Sequence, residues 1–254
     1  MNPLKIYIGF IIFIFSIGMN AQTFKIDTSS IDFEKKSRPC LLANLDPEAR
    51  SLQKAWTSYM KKNYEVKFKK TSDKDVLVAK DIIMTNVSIK RMNLYTRIIE
   101  TTSGSEMKLF SSFGYDFFIG PVNYPIEFEA YRKIMNAFLT QYLTTFYTDE
   151  IKATIERINQ LDKANLSIKK NIEKNQKKID NGKKQIASYN AANESDPDKA
   201  IKILQKINSL TQDETTLENE NAKATLEIML NNEKLVIRKT KLINLKSKQV
   251  ELIK

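Results

Sequence analysis

The sequence predicts an α+β protein: a small antiparallel-sheet domain with one packed helix, followed by a long antiparallel two-helix coiled-coil hairpin. Three observations carry that expectation. Residues 64–118 hold short runs rich in β-branched and aromatic residues, separated by turn signals. From Glu127 to Tyr189 there is one glycine and no proline. Across that helical span Ile151, Ile158, Asn165, Ile172, Ile179 and Ile186 recur every seventh residue, the repeat of a coiled-coil seam. A chain of 254 residues is long enough for one or two domains with a core of their own.

The first segment, residues 1–21, reads as a secretory signal peptide. Lys5 supplies the positive start, IYIGFIIFIFSIG is an apolar run, and small residues precede Gln22. The run falls short of the roughly 20 apolar residues that a membrane span needs, and no later run is long enough. The expectation is therefore export, to the periplasm or the outside of the cell, with no transmembrane segment once the leader is gone. Without Lys5 the chain keeps 40 basic against 30 acidic side chains. A basic exported protein meets anionic lipid, acidic polysaccharide or acidic partner proteins, and its compartment argues against nucleic acid. Cys40 is the single cysteine, so the fold rests on no internal disulfide; in the run PCLLANL it reads as a small buried apolar residue.

Residues 22–125 form the expected head. Residues 22–38 read as a loose arm and 39–45 as a buried strand. Asp46 and Pro47 suit the cap and first position of a helix, in which Leu52, Trp56, Tyr59 and Met60 share one face. In YEVKFKK the residues Tyr64, Val66 and Phe68 alternate with charged neighbours, the period of a strand. Further strands follow in DVLVAKDIIM, NVSIKRM with NLYTRIIE, and MKLFSSFGYDFFI, the last two joined by a turn at Gly104. The total is about four or five strands with the helix on one face.

The residue types exclude much chemistry. There is no histidine, the commonest general base and metal ligand. One cysteine makes no thiolate cluster, and the few glycines build no phosphate loop. Carboxylate pairs such as Asp73 with Asp75 and Glu127 with Glu129 sit in loops or helix starts, where acids are ordinary. No cofactor and no catalytic residue is assigned. The expectation is a non-enzymatic protein; the alternative is a hydrolase-like enzyme in the head, with the coiled coil as its oligomerisation device. One stretch of the head stands out: Phe113, Tyr115, Phe117 and Phe118 lie close together beside glycines and prolines, a candidate aromatic contact patch.

Residues 126–254 form the expected hairpin. In the first helix Thr154, Leu161, Ile168, Asn175, Gly182 and Tyr189 follow each a position by three and are the d positions. Asp196 and Pro197 start a second helix, so the tip lies near residues 193–197. The second helix has a positions Ile207, Glu214, Asn221, Ile228, Leu235, Leu242 and Gln249; its d positions include Ile203, Leu210, Leu217, Ala224, Asn231, Arg238 and Leu245. Folding the chain at residues 194–195 pairs residues whose numbers add to 389, and every a then meets a d: Ile186 with Ile203, Ile179 with Leu210, Ile172 with Leu217, Leu161 with Ile228. The same pairing sets Lys169 across from Glu218 and Lys178 across from Asp213. Leu242, Leu245 and Leu252 then reach back to the head.

Lys163, Lys170, Lys177 and Lys184 occupy f positions, opposite the seam. They form a ridge with one cation about every 10.5 Å, a candidate contact for anionic lipid or polysaccharide. The lysine, isoleucine and asparagine bias together with the leader resembles envelope proteins of Gram-negative bacteria, and the basic helical arm is similar in shape to tentacled periplasmic chaperones, although here the head precedes the arm entirely. The expected role is binding, spacing or assembly in the envelope, through a protein partner or self-association of the coiled coil.

Overall fold

The computed structural model describes residues 24–71, 73, 75–192 and 196–253. The expected signal peptide lies outside them. No helix among the described residues is long and apolar enough to cross a membrane. The elements are β1 (Asp27–Phe33), β2 (Lys36–Leu45), α1 (Ala49–Tyr64), β3 (Lys69–Lys70), β4 (Val76–Met84), β5 (Ser88–Thr101), β6 (Gly104–Ser112), α2 (Pro125–Ala191) and α3 (Pro197–Ile253). The strands form one antiparallel sheet in the order β1-β2-β6-β5-β4-β3. The α+β head with a long helical hairpin is thus the observed architecture.

Three local expectations are corrected. The arm at residues 22–38 is β1 and the start of β2, a hairpin in register from Asp27↔Leu42 to Phe33↔Lys36; its polar residues face solvent while Ile31 is buried. In YEVKFKK only Lys69 and Lys70 pair with a neighbour. The alternation there is real, since Val66 is buried and Phe68 packs on the core, but burial without a ladder is not a strand. Asp46 does not cap α1. The cap residue is Glu48, the helix starts at Ala49, and the Ala49 amide donates to the Glu100 carboxylate at 2.8 Å. Asp46 instead ties the two long helices to the head, as described below.

One face of the sheet is covered by α1 and by the first six turns of α2. Leu52, Trp56 and Met60 are buried on α1, and Phe128, Met135, Phe138, Leu143 and Tyr147 on α2. Trp56 is the centre of this layer: its ring meets Phe138 at 5.0 Å and its indole N–H donates to Thr96 Oγ1 at 2.9 Å, which satisfies the one polar atom of a buried ring. The β5–β6 turn needs Gly104. Its φ is +142°, and a Cβ there would lie 2.1 Å from the Leu45 carbonyl oxygen.

Beyond Tyr147, α2 leaves the head for about 44 residues, some 66 Å of helix, and α3 returns along it. The seam is occupied as the heptads require: every a and d position from Ile151 to Tyr189 and from Ile203 to Leu252 is buried or half-buried. The register differs from the expected one by a single heptad. Asn231 Nδ2 donates to Asn165 Oδ1 at 3.1 Å, Asn165 Nδ2 to Asn232 Oδ1 at 3.0 Å, and Lys183 pairs with Glu214 at 3.0 Å; the numbers in each pair add to 396 or 397. So Ile179 stands beside Leu217, not Leu210. Glu218 reaches Lys183 at 3.6 Å, not Lys169, and no ion pair joins Lys178 to Asp213 among the described residues. The a-to-d alternation repeats every seven residues and cannot choose between the two registers. The asparagines can. In the expected register Asn165 and Asn231 each face an apolar side chain; in the observed one they bond each other, while Asn175 donates to Glu220 at 3.2 Å and Asn221 Oδ1 stays buried without a partner among the described residues. Each buried amide left unpaired would cost about 1–3 kcal/mol. In this register Ala191 is level with Gln205, so about two turns of α3 extend past the end of α2.

The base of α3 docks on the head, as expected. Leu245 joins the head core and Leu252 packs against it. Tyr147, fully buried, donates its hydroxyl to Asp46 Oδ2 at 2.7 Å, and Lys248 pairs with the same oxygen at 2.5 Å. Gln249 donates to Thr148 at 2.8 Å and Lys241 pairs with Glu150 at 2.7 Å.

Candidate binding surfaces

The lysine ridge is where the heptads place it. Lys163, Lys170, Lys177 and Lys184 are all exposed along the outer face of α2, and none makes an ion pair or side-chain hydrogen bond among the described residues. Lys183, one residue off the ridge, is different: hydrogen bonding to Glu214 raises its pKa above the ordinary lysine value. The ridge therefore presents a row of cations that the fold itself does not use.

The aromatic patch is divided by the structure. Phe118 is buried beneath Arg38, whose guanidinium lies 4.2 Å from its ring centre. Phe113 packs edge-on against Tyr124 at 5.0 Å on the other side of the sheet. Only Tyr115 and Phe117 are open to solvent, 97% and 61% exposed. They flank Asp116, which bonds Lys36 and holds Arg38 at 2.6 Å; hydrogen bonds from Lys36 and then Arg38 hold the Asp116 carboxyl below its usual pKa. The loop is thus pinned to β2 by its acid, with two rings outside and two inside.

A further surface was not singled out from the sequence. Among the described residues no helix lies on the sheet face away from α1. Lys69↔Val78, Val78↔Tyr95 and Tyr95↔Phe110 form one row across four strands, so these side chains share that face. β2 pairs with β6 only from Leu41 onward, and the β1–β2 tip leans over the row: Phe33 lies 5.0 Å from Tyr95 and 5.1 Å from Phe110. Cys40 is buried here, with its thiol pushed up to about 11 by burial, in keeping with the small apolar role. Between the tip and β3–β4 runs a groove of about 790 Å³ with Tyr95 and Val78 in its wall and Lys67, Lys69, Lys80, Asp32 and Glu34 at its rim. The rim lysines and acids are exposed. A strand pairing rather than a motif creates this groove, which is why no linear signal marked it.

The outer face of α3 carries apolar side chains. Met229, Val236, Ile243 and Val250 follow one another by seven residues, with Leu226, Leu230 and Ile237 beside them; their exposures run from 48% to 69%. The spacing is legible in the sequence but hidden there by the stronger seam. Beside Gly182 the seam itself opens into a notch of about 410 Å³ lined by Ile179, Leu210, Glu214 and Leu217. No group of three or more His, Cys, Asp or Glu is placed to hold a metal ion among the described residues. No protein-family profile, curated protein or solved structure matches the chain.

Proposed function

We propose that the protein is an exported, non-enzymatic component of the bacterial cell envelope that binds and assembles through its hairpin, with the head anchoring the hairpin base. The observation that carries this reading is the division of surface along the stalk. The seam consumes the a and d positions, yet the outer face of α3 keeps an exposed apolar row at the same seven-residue repeat. Exposed apolar rows of this extent mark contact surfaces. The test is crosslinking in the native cell followed by mass spectrometry and cell fractionation. The reading expects crosslinks from α2 or α3 peptides to another envelope protein or to a second copy, in the envelope fraction. A cytoplasmic location, or crosslinks confined to the head, would contradict it.

A second reading rests on the four ridge lysines having no partner among the described residues. An anionic lipid or polysaccharide surface would bind them with a strength that falls between low and high salt, because exposed charges are screened over about 10 Å at 0.1 M. Binding to anionic vesicles that survives replacement of Lys163, Lys170, Lys177 and Lys184 by glutamate would end that reading.

A further inference from the structure

We infer that two copies of this chain pair antiparallel through the outer face of α3, giving a four-helix stalk with a head at each side. The inference rests on the assembly reading above and names its partner and geometry. Met229, Val236, Ile243 and Val250 occupy successive b positions, and Leu226, Leu230 and Ile237 the adjoining f and c positions. This arc lies opposite the seam. A seven-residue repeat keeps an apolar row in line with the coiled-coil axis, so a partner that follows it for its whole length, about 31 Å, is itself a helix of the same repeat.

Charge selects the partner and the direction. Residues 213–233 carry Asp213, Glu214, Glu218, Glu220, Glu227 and Glu233 against the single base Lys223; residues 234–248 carry Lys234, Arg238, Lys239, Lys241, Lys246 and Lys248 and no acid. One chain therefore holds both halves of a complementary pattern, the requirement for a two-fold interface. A dyad between Lys239 and Thr240 sets Met229 opposite Val250 and Val236 opposite Ile243. It brings Glu233 level with Lys246. Parallel pairing would set Glu227 and Glu233 on their own copies, and Lys239 and Lys246 likewise, which like-charge repulsion opposes. The cleft between the head and α3 is lined on the α3 side by Ile237, Thr240, Lys241, Asn244, Leu245 and Lys248, which leaves the b positions Met229, Val236, Ile243 and Val250 open.

The full chain is purified and its mass measured by light scattering at tens of micromolar. The inference expects twice the chain mass. Val236→Glu with Ile243→Glu should give a monomer whose helical circular dichroism is unchanged, since both side chains are already exposed in one copy. Lys246→Glu should weaken the dimer at least tenfold, and adding Glu233→Lys in the same chain should restore it. In a Cys40→Ser background, Met229→Cys mixed with Val250→Cys should yield the mixed disulfide, and Met229→Cys alone should not self-couple. A monomeric wild type overturns the inference, as does a dimer that survives Val236→Glu with Ile243→Glu, self-coupling of Met229→Cys, or a monomer that binds vesicles through this row. If the purified chain is monomeric but hairpin crosslinks to a different envelope protein are found in cells, the pairing fails while the assembly reading stands.

Discussion

Asn165 decides the register of the hairpin, and its replacement by alanine has a calculable effect. Its Oδ1 accepts from Asn231 Nδ2 at 3.1 Å and its Nδ2 donates to Asn232 Oδ1 at 3.0 Å. Asn165 and Asn231 are buried in the seam, whereas Asn232 is exposed. In Asn165→Ala the Asn232 amide returns to water at little cost, but the Asn231 amide is left buried without its acceptor, a loss of about 1–3 kcal/mol. Asn231→Ala likewise removes the donor of the buried Asn165 Oδ1, again a loss of about 1–3 kcal/mol, although Asn165 Nδ2 keeps its bond to Asn232. The double variant leaves no amide of this layer unpaired, so its loss should fall short of the summed single losses by about 1 kcal/mol. Urea unfolding followed by circular dichroism at an unchanged m value reads these differences from the midpoints. Losses that add to within about 0.5 kcal/mol would refute a coupled asparagine layer.

Three further outcomes follow from particular residues. A Cβ at Gly182 meets nothing within 4 Å, so Gly182→Ala should raise stability by about 1 kcal/mol in the same urea assay; a fall would mean the notch is not open. Thr96→Val removes the acceptor of the buried Trp56 indole N–H and should lower stability by about 1–3 kcal/mol, whereas an unchanged midpoint would remove Trp56 as a satisfied core anchor. Cys40 is fully buried and its thiol is raised from 9.0 to about 11 by burial. A raised acid stabilises the fold in its protonated form, so this contribution is whole below pH 9 and is lost as pH rises towards and past about 11. A thiol reagent at pH 8 should modify Cys40 only as fast as the protein unfolds, and immediate labelling of the folded chain would contradict its burial.

Much of this fold is written in local periodicity. The seam positions, the start of α3 at Pro197, the turn at Gly104 and the burial of Leu52, Trp56 and Met60 all follow from repeats of seven, of 3.6 and from turn chemistry, because each depends on residues near in sequence. What the sequence conceals is set by pairing between distant segments. The hairpin register required knowing that Asn165 and Asn231 satisfy each other, which the heptad alone leaves undetermined. The β1–β2 hairpin lacks apolar alternation because its partner strand supplies backbone bonds and its apolar contacts, Phe33 on Tyr95, Phe110 and Phe118, come from distant segments. Asp46 looked like a helix cap because its neighbours fit one, yet Tyr147 and Lys248, a hundred and two hundred residues away, claim its carboxylate. The lysine ridge was legible as a position; the division of the 113–118 aromatics between two faces was not, since Phe118 turns inward only where the loop folds back to bridge Ser112.

The most direct test is a pair of disulfide traps across the stalk, made in a Cys40→Ser chain that keeps every seam asparagine. Ile172→Cys is combined with Ala224→Cys in one protein and with Leu217→Cys in another. The asparagine-matched hairpin predicts rapid oxidation of the first pair, which share a layer, and slow oxidation of the second, whose partners are offset by about 10.5 Å along the axis. Rapid closure of the Leu217 pair, or closure of neither, would contradict it.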